Sequence, residues 1–196
     1  TRVIIGAGSV FKGGDRYTGS PYPFLNGSLP ISERFFAGGA NNLRGFEFEE
    51  AGPRVVVVPT GIFHNEKGEP VYLDPFTVPF GGNAIAVVNL EGRIPLSKAL
   101  RVVPFYDGGN VFRRARDIFK APDPPPGDIN LQNQAARWTH TVGLGFRIKT
   151  PVGGEFGFDY GRLLNPPVFL IPQGVGGPAL YKLHQDHLHF RFSQAF

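Results

Sequence analysis

Apolar residues alternate with small or charged ones over several stretches of this chain, and helical spacing is nearly absent. In residues 139–149, THTVGLGFRIK, His140, Val142, Leu144, Phe146 and Ile148 fall on one face, while Thr141, Gly143, Gly145, Arg147 and Lys149 fall on the other. In EFGFDYG, Phe156, Phe158 and Tyr160 alternate with Glu155, Gly157, Asp159 and Gly161. HLHFRFSQAF sets Leu188, Phe190, Phe192 and Phe196 against His187, His189, Arg191 and Ser193. Earlier stretches repeat the pattern. Val3, Ile5 and Ala7 oppose Arg2, Gly6 and Gly8; Val88, Leu90 and Ile94 oppose Asn89, Glu91 and Arg93; Leu100, Val102 and Tyr106 oppose Arg101, Phe105 and Asp107. This predicts strands over 1–12, 83–95, 99–112, 138–150, 154–163 and 186–196.

The two faces are unequal in a particular way. One carries bulky aromatics; the other carries glycine and charge. A charged face bathed in water has little need of glycine, whereas a crowded inner wall does. Large apolar residues outside with small and charged ones inside fit an all-β fold, a transmembrane antiparallel β-barrel. Strands of about 9–11 residues cross a bilayer when tilted. A soluble sandwich is the competing reading. Connections alternate in length: SKA and PVGG are tight turns, while 108–137, 162–183 and the stretch 12–82 are long, as in outer-membrane barrels. RVVVVPTGIF and EPVYLDPFTV are expected to form an extra hairpin about Asn65-Glu66-Lys67-Gly68, and their prolines make them poor lipid-facing strands.

Composition narrows the chemistry. The 196 residues hold 27 Gly and 19 Phe but no Cys or Met, which excludes disulfide scaffolds, thiolate metal sites and thiol catalysis. The net charge of +4 comes without a basic run beyond Arg113, Arg114 and Arg116, so no nucleic-acid partner is expected. No stretch reaches the ~20 apolar residues of a transmembrane helix. VIIGAGSVFKGG starts like a dinucleotide-binding turn, but Phe11 stands where the third glycine belongs and no helix pattern follows. No GxSxG elbow occurs. His184, His187 and His189 cluster with Asp186; barrel-wall histidines are the preferred reading over a metal site. The expectation is a protein with no catalytic residues, metal or cofactor. Trp138, Tyr106 and Tyr160 suit an interfacial aromatic belt or ordinary packing.

The most unusual stretch is RFFAGGANNLRGFEFEE, residues 34–50, too glycine-rich for a helix interior and too irregular for a strand. It reads as a structured loop built around one cation, Arg44. The plain alternative is a surface loop whose arginine faces water.

Taken in order, RFFAGGANNLRGF, GGNAIAVVNLEGRIPL, LRVVPFYDGGNVF, VGLGFRIKTPVGGEFGFDYG and HFRFSQAF resemble the C-terminal part of an Omp85-superfamily barrel, of the BamA, TamA and surface antigen D15 type. The resemblance implies that residues 1–196 form one barrel domain and that the loop of about 12–82 folds back into the lumen. Its motif residues would be Arg44, Gly45 and Phe46, and the anchoring wall residues Glu91, Phe105 and Asp107. It implies a C-terminal assembly signal at Phe190, Phe192 and Phe196. Arg44→Ala is then expected to disturb folding or assembly more than Arg34→Ala. By the same resemblance, the protein would sit in the outer membrane of a Gram-negative-type bacterium, contacting lipid, unfolded outer-membrane clients and accessory assembly subunits. It would insert β-barrel proteins through a lateral gate, with 186–196 as one lip; a passive pore and a secretion translocon are the alternatives. The family's barrel has about sixteen strands after periplasmic POTRA domains, and no POTRA-like segment is visible. Six strands fall short of the roughly eight of a small membrane barrel. The chain is therefore expected to be part of a longer protein, or else a short form closed by the extra hairpin or a second copy.

Overall fold

A computed structural model describes residues 1–10, 27–57, 63–71, 75–120, 137–151, 153–171 and 179–194. Its centre is one antiparallel sheet ordered β1 (Arg2–Ala7), β6 (Ala84–Glu91), β8 (Leu100–Phe112), β9 (Thr139–Lys149), β10 (Gly154–Leu163) and β13 (Asp186–Gln194), with β7 (Ile94–Pro95) continuing β6 along β8. All six predicted strands are present, the first trimmed at its far end. Gly92 and Arg93 interrupt the ladder along β8 between β6 and β7, where Gly92 N–H still donates to the Pro104 carbonyl at 3.0 Å. Successive strands join through the predicted tight turns, one about Ser97, whose hydroxyl accepts from Leu100 N–H at 3.1 Å, and one where Gly153 takes φ +89°. β1 and β13 are the outer strands of the sheet and do not pair with each other.

The wall is inside out relative to a water-soluble sheet. Val142, Leu144, Phe146 and Ile148 are each 41% exposed, whereas Thr141 on the opposite face of the same strand and Asp159 on the next are both 0% exposed. Phe190 and Phe192 on β13 are exposed beside Phe158 and Phe156 of β10, with ring centroids 5.0 and 4.8 Å apart. Exposed apolar residues in cross-strand register over buried polar ones make a face for hydrocarbon, not water.

The inner face departs from the small-and-charged expectation. Ile85, Val87 and Val111 project inward and pack with Ala37, Leu43, Phe46 and Ala51 of the loop and with Leu163 and Leu183. A loop that covers the wall brings its own apolar side chains, and the wall must answer them with apolar residues. Trp138 packs rather than standing free: it lies 6.1 Å from the Phe112 ring and donates from Nε1 to the Ile118 carbonyl at 2.9 Å.

The extra hairpin forms and stays outside the wall. β2 (Arg54–Val57) pairs with β5 (Phe76–Pro79), and β3 (Phe63–His64) with β4 (Pro70–Val71), around a tip in which Asn65 Oδ1 accepts from the N–H groups of Lys67 and Glu69. The segment 162–183, expected to be loop, holds a second hairpin, β11 (Val168–Ile171) with β12 (Ala179–Lys182). Its short apolar runs carry no period-two signature, which is why the pattern missed them.

A charge on the outer face tests the orientation of the wall. Leu144→Arg should lower folding stability in bilayers by about 2–4 kcal/mol, the cost of a cation on a lipid face near midplane. Reversible unfolding in lipid vesicles reads this directly; an unchanged stability would mean that the face meets water.

Candidate functional site, an arginine clamp on the inner wall

Residues 35–51 form a compact loop rather than a strand. Phe35 bridges Gly82 and Ala37 bridges Ala51 at its two ends. Between them Asn42 Oδ1 accepts from the N–H groups of Gly38 (2.8 Å) and Leu43 (2.7 Å), and Gly39 N–H donates to the carbonyls of Leu43 and Phe46. Gly38 sits at φ +126° with the Glu47 carbonyl where a side chain would begin, so only glycine fits. This turn carries Leu43 and Phe46 into the apolar core, both 0% exposed, and points Arg44 between them at the wall.

Asp107 on β8 receives the arginine. Arg44 Nε and Nη2 donate to its two carboxylate oxygens at 2.7 Å each, and Arg44 backbone N–H adds a third bond at 3.1 Å. Asn89 Nδ2 supplies a fourth at 2.7 Å. The remaining guanidinium nitrogen, Nη1, donates to Glu91 Oε1 at 2.7 Å. The guanidinium plane lies over the Phe105 ring, 3.5 Å from its centroid. Burial works against the charge of Arg44, but the hydrogen bond and attraction of Asp107 outweigh it and hold the pKa above the ordinary arginine value. A planar fork of donors matches this site and an ammonium would not. The structure thus brings Arg44, Glu91, Phe105 and Asp107 together.

Wall glycines make room for the clamp. A side chain at Gly143 would collide with the Phe105 ring, and one at Gly161 would meet the Arg44 carbonyl. Gly45 in turn faces Thr141, with no space for a Cβ. Phe105, Gly143 and Gly161 stand in one cross-strand row, a trough in which ring and loop backbone lie. Sequence reasoning missed two partners, Asn89 on Asp107 and a histidine on the last strand. His189 on β13 donates from Nε2 to the Arg44 carbonyl at 3.0 Å, tying the loop to the last strand. Its place on the inner face was legible, but its distance in sequence from Arg44 hid the pairing. His187 reaches the His184 carbonyl instead, and no group of three or more metal-ligating side chains is assembled among the described residues.

A second buried carboxylate, Asp159, binds Arg147 (Nη1 at 2.8 Å) and Arg191 (Nη2 at 2.7 Å). Phe190 and Phe192 lie on the outer face of β13, away from the clamp, and Phe196 lies outside the described residues. Arg34 is not a water-facing comparator for Arg44. It is 9% exposed, stacks 3.8 Å from the Phe80 ring centroid and donates to the Leu29 and Phe80 carbonyls.

An antiparallel wall with an apolar outer face and a loop clamped to its inner face is the architecture of a transmembrane β-barrel wall, open between β1 and β13. A family model described as Omp85 superfamily domain matches residues 5–196, and the chain belongs to that superfamily. Its members are non-enzymatic proteins of bacterial or organellar outer membranes that insert or secrete other proteins. No helix among the described residues is long and apolar enough to cross a membrane.

Breaking the clamp leaves a buried charge without its partner. Arg44→Ala should cost about 3–5 kcal/mol, because Asp107 stays buried. Lys98→Ala, at an exposed turn lysine, should change stability by less than about 0.5 kcal/mol. Chemical unfolding of the two variants in micelles checks the contrast, and equal effects would sink the anchoring role. Gly161→Val should lift the loop and raise its protease cleavage rate without removing any charge; unchanged cleavage would show that the close approach is dispensable.

Proposed function

We propose that this chain is the C-terminal wall of an assembly factor of the BamA and TamA type in a Gram-negative outer membrane. There it inserts β-barrel clients by pairing a client strand with the free edge of β13. In this reading Phe190, Phe192 and Phe196 are the protein's own assembly signal, the first two on the lipid side of that strand. Unfolded outer-membrane proteins and accessory assembly subunits are its partners, and the remainder of a longer chain or a second copy completes the barrel.

The observation that carries the proposal is the tie from Arg44 to the last strand. The loop occupies the inner face, which speaks against an open passive channel. Its clamp also reaches β13 through His189, so the loop braces the strand that would serve as a gate lip. An edge strand with free N–H and C=O groups is a template for another strand, and β13 is hydrogen-bonded only to β10 among the described residues.

Site-specific crosslinking distinguishes the branches of the superfamily. A photo-crosslinker at Ser193 on β13 should capture the terminal strand of a folding barrel client in membranes. Capture at Asn41, on the lumenal loop, of a secreted protein in transit would favour a translocon and overturn the insertion reading. Capture at neither site would leave a passive barrel.

A further inference from the structure

Below the clamp, at the short-turn end of the wall, the inner face holds a cavity of about 660 Å³ bordered by loop residues Ala40, Asn41 and Asn42. Six arginines line it: Arg2, Arg44, Arg93, Arg101, Arg147 and Arg191. Arg101 and Arg147 stand directly opposite each other on β8 and β9; Gly157 is opposite Arg147 on β10, and Arg191 is opposite Gly157 on β13. Like charges in direct register are destabilising, and here three guanidiniums share one row over a bare glycine floor.

Two carboxylates answer the three. Glu155 pairs with Arg101, and Asp159 with Arg147 and Arg191. One positive charge in the row is therefore unbalanced. Arg101 Nε is buried with no hydrogen-bond partner among the described residues. At the rim, Arg93 is 69% exposed and only 3.5 Å from a Glu91 oxygen, while Arg2 donates from Nη1 to the Asn41 carbonyl. Arg93 thus shares Glu91 with Arg44, and Arg2 is held by a neutral carbonyl.

We propose that this cavity binds the carboxylate side chains of an extended acidic polypeptide segment. Guanidiniums take carboxylates in paired, two-bond geometry. The row crosses three strand spacings, about 14 Å, at right angles to the strands, which is the span of three same-face side chains at ~7 Å intervals in an extended chain lying across the wall. Arg191 belongs to β13, so a strand laid on that edge would cross the end of the row and meet it at the side chain nearest Arg191. The lipid-facing aromatics lie on the opposite side of the sheet, which favours a polypeptide over a lipid headgroup. The cavity's binding of acidic segments stands apart from the insertion reading, although a client strand is the natural ligand if that reading holds.

The test uses the full-length protein in detergent micelles and a fluorescent peptide alternating Glu with Thr, beside its Gln-Thr counterpart. The Glu peptide should bind, more weakly as salt rises, and the Gln peptide should not. Arg2→Gln with Arg93→Gln, both outside the buried ion pairs, should weaken binding roughly tenfold by removing two exposed charge contacts; Arg116→Gln should leave it unchanged. Equal binding of the two peptides, or no loss in the double variant, overturns the assignment. So does displacement of the Glu peptide by inorganic phosphate at equal concentration, which would make the cavity a small-anion site. Client capture at Ser193 without Glu-peptide binding removes this proposal alone; Glu-peptide binding without client capture removes only the insertion reading.

Discussion

Asp107 is a fully buried carboxylate on the inner wall, and four donors converge on it, three of them from Arg44. A carboxylate this dry is tolerable only if its lone pairs are filled and its charge is met. That requirement fixes the surroundings. The Arg44 backbone must come close enough for its own N–H to reach Asp107, so the loop cannot ride above the wall on a long side chain. Close approach requires glycine at 45 and 161, and the stacked Phe105 ring requires glycine at 143. The glycines at 45, 143 and 161 are thus consequences of a single ion pair.

The apolar core follows from the same approach. Once residues 43–46 lie on the wall, Leu43 and Phe46 flank the arginine and must be covered by Ile85, Val87, Val111 and Leu163. The clamp and the core are therefore mutually dependent. Apolar contacts exclude water from the ion pair and strengthen it, and the ion pair fixes the register in which the apolar side chains meet. A buried pair of this kind contributes specificity of placement more than net stability, which suits a loop that must sit in one position inside a barrel.

Most of the wall was legible because period two is a strong signal when one face meets lipid and the other meets a crowded interior. In β9 the alternation of Thr141, Gly143, Gly145 and Arg147 with Val142, Leu144, Phe146 and Ile148 reports both faces at once. The clamp was legible only with the resemblance: parity placed Glu91, Phe105 and Asp107 on the inner face, but nothing local pointed them at a loop residue 47 to 63 positions away. The β11–β12 hairpin was not legible, since two four-residue strands show too few alternations to separate from loop. Ile85 and Val87 left no alternating signal, because their strand is apolar on both sides where the loop covers it. His189 was placed correctly, yet its partner is a backbone carbonyl, and backbone acceptors leave no mark in a sequence.

The arginine row raises the opposite question, since it is a cost the fold does not need. Asp107 shows how this wall treats a buried charge when structure alone is at stake, with every oxygen filled and the partner stacked. Arg101, Arg147 and Arg191 do not follow that rule. They are opposed in register, share two carboxylates, and leave a buried Nε without an acceptor among the described residues. Substituting one of them by an apolar residue would remove the like-charge register without emptying a packed core. Retaining all three, beside an edge strand and under a rigidly clamped loop, is the pattern of a surface prepared for an anionic partner that arrives from outside the domain.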